Sequence, residues 1–154
     1  HVGDISRRGG GPFKPHRSHQ NGRDVDVGIY LRRGHSTTGF RTAQPHTMDL
    51  GRTWSLIWGL VSQGNIKYIF LDYSLQESLY RYARDVDGVS PRTLKAIFAY
   101  PRGRRASTGV IRHWPGHRNH LHIRFYAPQS TAAAHTFEAD RKSRTDAESH
   151  RRYK

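Results

Sequence analysis

Hydrophobic residues recur along this chain with two different periods, and the switches between them divide it into elements. Val25, Val27, Ile29 and Leu31 alternate with Asp24, Asp26, Gly28 and Tyr30. This is the period-2 pattern of a strand with one buried face, and it turns Asp26 away from the valines. A polar connection over residues 32–50 follows, punctuated by Gly34, Gly39 and Pro45. Trp54, Ile57, Trp58 and Val61 then fall at helical spacing, and Gly64 supplies a stop. The run IKYIFLDY from Ile66 to Tyr73 suits a central strand. Ser74 and Glu77 form an S-x-x-E capping box that predicts a helix through Leu75, Leu79, Tyr82 and Val86, ending at Gly88. Ser90 as N-cap and Pro91 at the first helical position predict a third helix carrying Leu94, Ile97 and Phe98, closed by Pro101. A basic loop, PRGRRASTG, leads into a last alternating strand, HLHIRFYA. Residues 1–23, rich in Gly, Pro, Arg and His, read as irregular, and no internal repeat is present.

Length and composition narrow the picture further. With 154 residues and 34% of them hydrophobic, the chain supports one domain with a real core, over residues 1–128. Residues 129–154 mix charges without apolar periodicity and are predicted to be a basic, polar C-terminal tail, partly disordered. No window approaches the roughly 18 consecutive apolar residues of a membrane span. The chain opens on His1 without a charged-then-apolar leader, from which a processed or trimmed, soluble form is expected. Cysteine is absent, which removes disulfides, thiolate nucleophiles and every Cys-based zinc site. The formal charge of +14 predicts attraction to polyanions such as nucleic acid, anionic lipid or an acidic cell wall, without choosing among them.

The histidines choose more sharply. Six of the eleven fall in two short windows, His16 and His19 in the first, and His113, His117, His120 and His122 in the second. On a strand reading HLHIRF, His120 and His122 share one face while Leu121 and Ile123 share the other. A catalytic zinc takes three protein ligands and leaves a fourth position for water. His19, Asp26 and one histidine of His-Leu-His make such a set, with Gly22 permitting the turn between the first two. A second imidazole beside the metal is then placed to act as a base or to hold an oxyanion. Each part also has a plainer explanation. His-x-x-His is an ordinary surface-loop pattern, Asp24 and Asp26 fit a solvated strand face, and His-Leu-His fits the exposed side of an edge strand. The conjunction favours a metal site.

The same residues carry a resemblance. The stretch SHQNGRDVD resembles the serine and His-x-x-Gly-x-x-x-Asp signature of the LAS zinc peptidases, and HLH resembles their closing His-x-His. Within that group the chain is most similar to the penicillin-insensitive murein endopeptidases. The similar segments are GDIS, Gly10 to Pro12, Pro15 to Gln20, Asp24-Val25-Asp26 and His117 to His122. The similarity covers the N-terminal third and the strand near residue 120. The middle matches only in its order of elements, and the residues after Pro128 do not match.

The resemblance implies a small α+β domain with a mainly antiparallel sheet carrying the site and helices packed on one side. It makes His19, Asp26 and His122 the ligands of one active-site Zn2+. His120 becomes the general base or transition-state stabiliser, with His117 as a second catalytic imidazole. Ser18 orients the ligand loop, and Trp114 walls the substrate cleft. His16 corresponds to a ligand of a second zinc at a dimer interface. The downstream Asp-x-x-His that completes that second site is missing between residues 27 and 65, where only His35, His46 and Asp49 stand at other spacings. His16 is therefore a candidate for a second ion or for a partner of the ligands. The implied substrate is the D-alanyl to meso-diaminopimelyl amide of peptidoglycan cross-links, met in the periplasm or outside the cell. Anionic wall polymers are further partners and nucleic acid is not expected. Two alternatives stand: a D,D-carboxypeptidase or dipeptidase of the same zinc group, and a non-catalytic basic module that binds wall polymer or nucleic acid.

Overall fold

The structure is a computed structural model that describes residues 1–34 and 38–127. The predicted tail over 129–154 and His35 lie outside the described residues. Seven elements follow in order: β1 (Asp24–Gly28), α1 (Leu50–Val61), β2 (Ile66–Phe70), α2 (Tyr73–Asp85), α3 (Pro91–Ile97), β3 (Ile111–Arg112) and β4 (His120–Phe125). The fold is α+β, with one four-stranded sheet in the order β1-β4-β2-β3. β4 pairs antiparallel with β1 on one side and with β2 on the other, while β3 runs parallel to β2. The sheet is thus mixed. The two-residue β3 was not foreseen, because two residues are too few to show an alternation.

Register divides the sheet into an apolar and a polar face. Val25, Ile123, Ile69 and Ile111 stand in one row across all four strands. Ile123, Ile69 and Ile111 are buried in the same cluster as Leu121, Trp54, Ile57 and Val61 of α1, Leu75 and Leu79 of α2, and Leu94 and Ile97 of α3. All three helices therefore pack on the apolar face. The next row, Asp26, His122, Phe70 and Arg112, points the other way.

The helices begin where local hydrogen bonding dictates. Asp49 caps α1 by accepting from the Arg52 backbone N–H at 3.0 Å, and Ser90 caps α3, with Pro91 following as predicted. The start of α2 differs from the sequence reading. Its N-cap is Asp72, whose Oδ1 accepts from both the backbone N–H (3.0 Å) and the hydroxyl (2.6 Å) of Ser74. The predicted partner Glu77 instead accepts from Arg81, one turn on, at 2.7 Å. A carboxylate two residues earlier outcompetes the serine because a charged acceptor binds the orphan N–H groups more strongly than a hydroxyl.

That cap gives a stability prediction. Burial works to raise the Asp72 carboxyl, but the two Ser74 hydrogen bonds and the nearby charges of His113 and Arg118 hold it below its usual value. A depressed carboxylate stabilises the fold above its unfolded pKa, and the contribution is lost as pH falls through the folded value. Asp72→Ala should cost about 1 kcal/mol at pH 7. In urea unfolding the gap from wild type should shrink at about pH 3, below the ordinary aspartate pKa of about 3.9. Equal stability of the two proteins at pH 7 would show that the Asp72 cap does not stabilise the fold.

The irregular N-terminal segment is tied to the sheet. Val2 bridges Val27, and Gly3 and Asp4 exchange backbone hydrogen bonds with Asp26 at 2.8 and 3.1 Å. The glycine run then folds over the next loop. Gly11 donates to Gln20 O at 2.8 Å, and a Cβ on Gly10, whose φ is +78°, would meet that same oxygen at 2.8 Å. Glycine is needed there for both reasons. The connection before α1 also holds more core than its polarity suggests, with Ala43 and Met48 fully buried and Leu31 bridging Met48.

Candidate metal centre

The polar face of the sheet gathers the two histidine windows. Asp26 on β1 and His122 on β4 are direct Cα partners, so the antiparallel register sets them side by side. The loop behind Gly10 brings in His19, which has no exposed surface. His19 Nδ1 lies 2.9 Å from Ile5 O and donates to it, since a carbonyl can only accept. In the neutral ring that leaves Nε2 as a bare lone pair. Asp24 and Asp26 are 1% and 2% exposed, which corrects the alternative of a solvated strand face.

Three ligand atoms converge. His19 Nε2 is 3.1 Å from His122 Nδ1, His122 Nδ1 is 3.0 Å from Asp26 Oδ1, and His19 Nε2 is 3.3 Å from Asp26 Oδ1. Two of the three are acceptors whatever the state of His122, so either an N–H on His122 Nδ1 or a metal ion fits among them. A tetrahedral ion with ligands at about 2.0–2.2 Å spaces them by about 3.3–3.6 Å. The triangle has to open by only a few tenths of an ångström to meet that.

His16, His19 and Asp26 offer ligand atoms within 4.8 Å of one another and could hold a metal ion. His16 sits differently from the other two, however. Its Nε2 pairs with Asp4 Oδ2 at 2.8 Å, and its Nδ1 is 3.9 Å from Asp26 Oδ2, while the triangle distances are to Oδ1. All three edges of the His19, Asp26 and His122 triangle are shorter than the 3.9 Å between His16 Nδ1 and Asp26 Oδ2.

His120 and His117 lie beside the triangle. His120, opposite Gly28 in the register, brings Nε2 to 3.7 Å from Asp26 Oδ1 and donates from Nδ1 to Asn119 Oδ1 at 2.7 Å. Burial is the largest influence on its ring and lowers the pKa to about 4, against the opposing pull of Asp26. His117 is lowered as well, chiefly by burial, and donates from Nδ1 to Pro115 O at 3.0 Å. Its ring centroid is 4.7 Å from that of His120 and 5.8 Å from that of His122. Both therefore present unprotonated Nε2 atoms at neutral pH. Burial also works to raise Asp26, but the His122 hydrogen bond and the surrounding imidazoles outweigh it and hold the carboxylate ionised.

The supporting residues fall into place around these. Ser18 Oγ approaches His122 Nε2 at 3.4 Å. Trp114 is 53% exposed and stacks on Phe70 at 5.3 Å, and Phe70 in turn stacks on His122 at 5.6 Å. Phe70 was missed in the sequence, although its place in a strand beside an alternating one put it on either face with equal ease. His113, the remaining histidine of the second window, is turned elsewhere and accepts from the Tyr73 backbone N–H at 3.0 Å. No protein-family model matches the chain, and no curated protein matches it.

Proposed function

We propose that this chain is a zinc-dependent murein endopeptidase, cutting the D-alanyl to meso-diaminopimelyl amide between cross-linked stem peptides in the periplasm or outside the cell. The observation that carries the proposal is the His19, Asp26 and His122 triangle, formed by the residues that the sequence resemblance singled out. Two imidazole nitrogens and one carboxylate oxygen suit zinc among the common metals, and three protein ligands leave a position open. Bound there, zinc supplies Lewis acidity toward a carbonyl and lowers the pKa of water.

The chain's own groups supply the rest of the chemistry. His120, kept neutral by burial and with Nδ1 engaged by Asn119, accepts a proton at Nε2 and passes it to the leaving amine. His117 stands beside it as a second imidazole able to take up charge that develops next to the site. Phe70 and Trp114 form a wall that holds the peptide and sheds water from one side. The net charge of +14 keeps the protein near anionic wall polymers.

Digestion of purified muropeptide dimers tests this reading. With zinc present, dimers should resolve into two monomers whose summed mass exceeds the dimer by one water, and a chelator should stop the reaction. Intact dimers in the presence of zinc would overturn the proposal. Release of free D-alanine alone would replace it with the carboxypeptidase alternative.

A further inference from the structure

His122 has a second carboxylate at its back. Its Nε2 lies 3.1 Å from Asp24 Oδ1, on the side of the ring opposite the triangle. Asp24 is 1% exposed, and its other oxygen, Oδ2, has no hydrogen-bond partner among the described residues. Arg124 Nη1 is 3.4 Å from Oδ1 and gives the charge partial compensation. A buried carboxylate with one orphaned oxygen is costly, and an apolar or amide side chain of similar size would serve packing at least as well.

We infer that Asp24 is a positioning residue for the metal centre, acting through His122. With a metal in the triangle, the carboxylate would accept the Nε2–H and so leave the Nδ1 lone pair for the metal. It also fixes the ring's rotation and makes the imidazole a stronger donor toward a cation. The carboxylate–imidazole–metal arrangement is a recurrent way of tuning such sites. The strand geometry delivers it without a separate device. Asp24 and Asp26 lie two residues apart on β1, both reach the polar face, and His122 stands between their carboxylates with one ring nitrogen toward each. The D-V-D spacing thus encodes a ligand and the group that orients its neighbour. Ser18 Oγ, at 3.4 Å from the same Nε2, is a weaker second contact and does not replace the carboxylate.

This inference rests on the zinc reading, and its test is built so that the two can fail separately. Zinc affinity is measured on the full chain by competition with a chromophoric chelator, and the thermal midpoint of the zinc-free protein is measured alongside. Asp24→Asn should weaken zinc binding about 10- to 100-fold while leaving the zinc-free midpoint unchanged or raised. Asp24→Ser is the second variant if the amide does not fold, with the same loss expected. An affinity within twofold of wild type would overturn the inference while leaving the zinc reading intact. So would a loss matched by a collapse of zinc-free stability. Absence of zinc binding by the wild-type chain would remove both.

Discussion

His19→Ala should fold and fail to retain zinc. The ring contributes the one ligand whose free lone pair is fixed by the backbone, through donation to Ile5 O at 2.9 Å. Its removal leaves two ligands on adjacent strands, too few for a closed zinc coordination sphere. The loss of affinity should exceed the roughly 10- to 100-fold that removal of a mere supporting partner costs. Hydrolysis should fall with it. A bared Ile5 carbonyl costs about 1–3 kcal/mol, which the core on the opposite face of the sheet can bear. Metal analysis of the purified variant, with circular dichroism to confirm folding, checks this. A folded His19→Ala protein holding one zinc per chain would contradict the ligand assignment.

His120→Ala should do the reverse, keeping zinc and losing turnover. Its Nε2 is 3.7 Å from Asp26 Oδ1, farther than any edge of the His19, Asp26 and His122 triangle, and its Nδ1 is occupied by Asn119. General acid–base catalysis by a positioned histidine contributes about 10²–10⁴. The variant's kcat should fall by that factor with KM little changed. Wild-type kcat in this variant would dismiss His120 from the reaction, and loss of zinc would make it a ligand instead. Together the two variants separate the atoms that hold a metal from those that move protons.

The parts of the site that could be read from the sequence were those carried by strand periodicity. Alternation alone placed His120 with His122, and Leu121 with Ile123, on opposite faces, and it turned Asp26 from the valines. The pairing of Asp26 with His122 was not legible in this way, because register depends on contacts 96 residues apart. The resemblance bridged that gap by naming the two together. Asp24 shows the limit from the other side. D-V-D looks the same whether its carboxylates meet water or imidazoles, and only the folded face reveals which. The first turn of α2 is a local example. Ser74 satisfied a capping pattern, but Asp72 stood within reach of the same N–H groups and took the cap. The mixed character of the sheet came from β3, whose two residues owe their conformation to β2 and to the adjacent Phe98 bridge rather than to any pattern of their own.

The proposed function requires one zinc ion held by His19 Nε2, Asp26 Oδ1 and His122 Nδ1. A crystal structure of the zinc-loaded chain, with anomalous diffraction collected on either side of the zinc edge, tests it most directly. A single peak is expected within about 2.0–2.2 Å of those three atoms, with His122 Nε2 still on Asp24. A peak held by His16 and Asp4, or no peak at all in protein soaked with zinc, would contradict it.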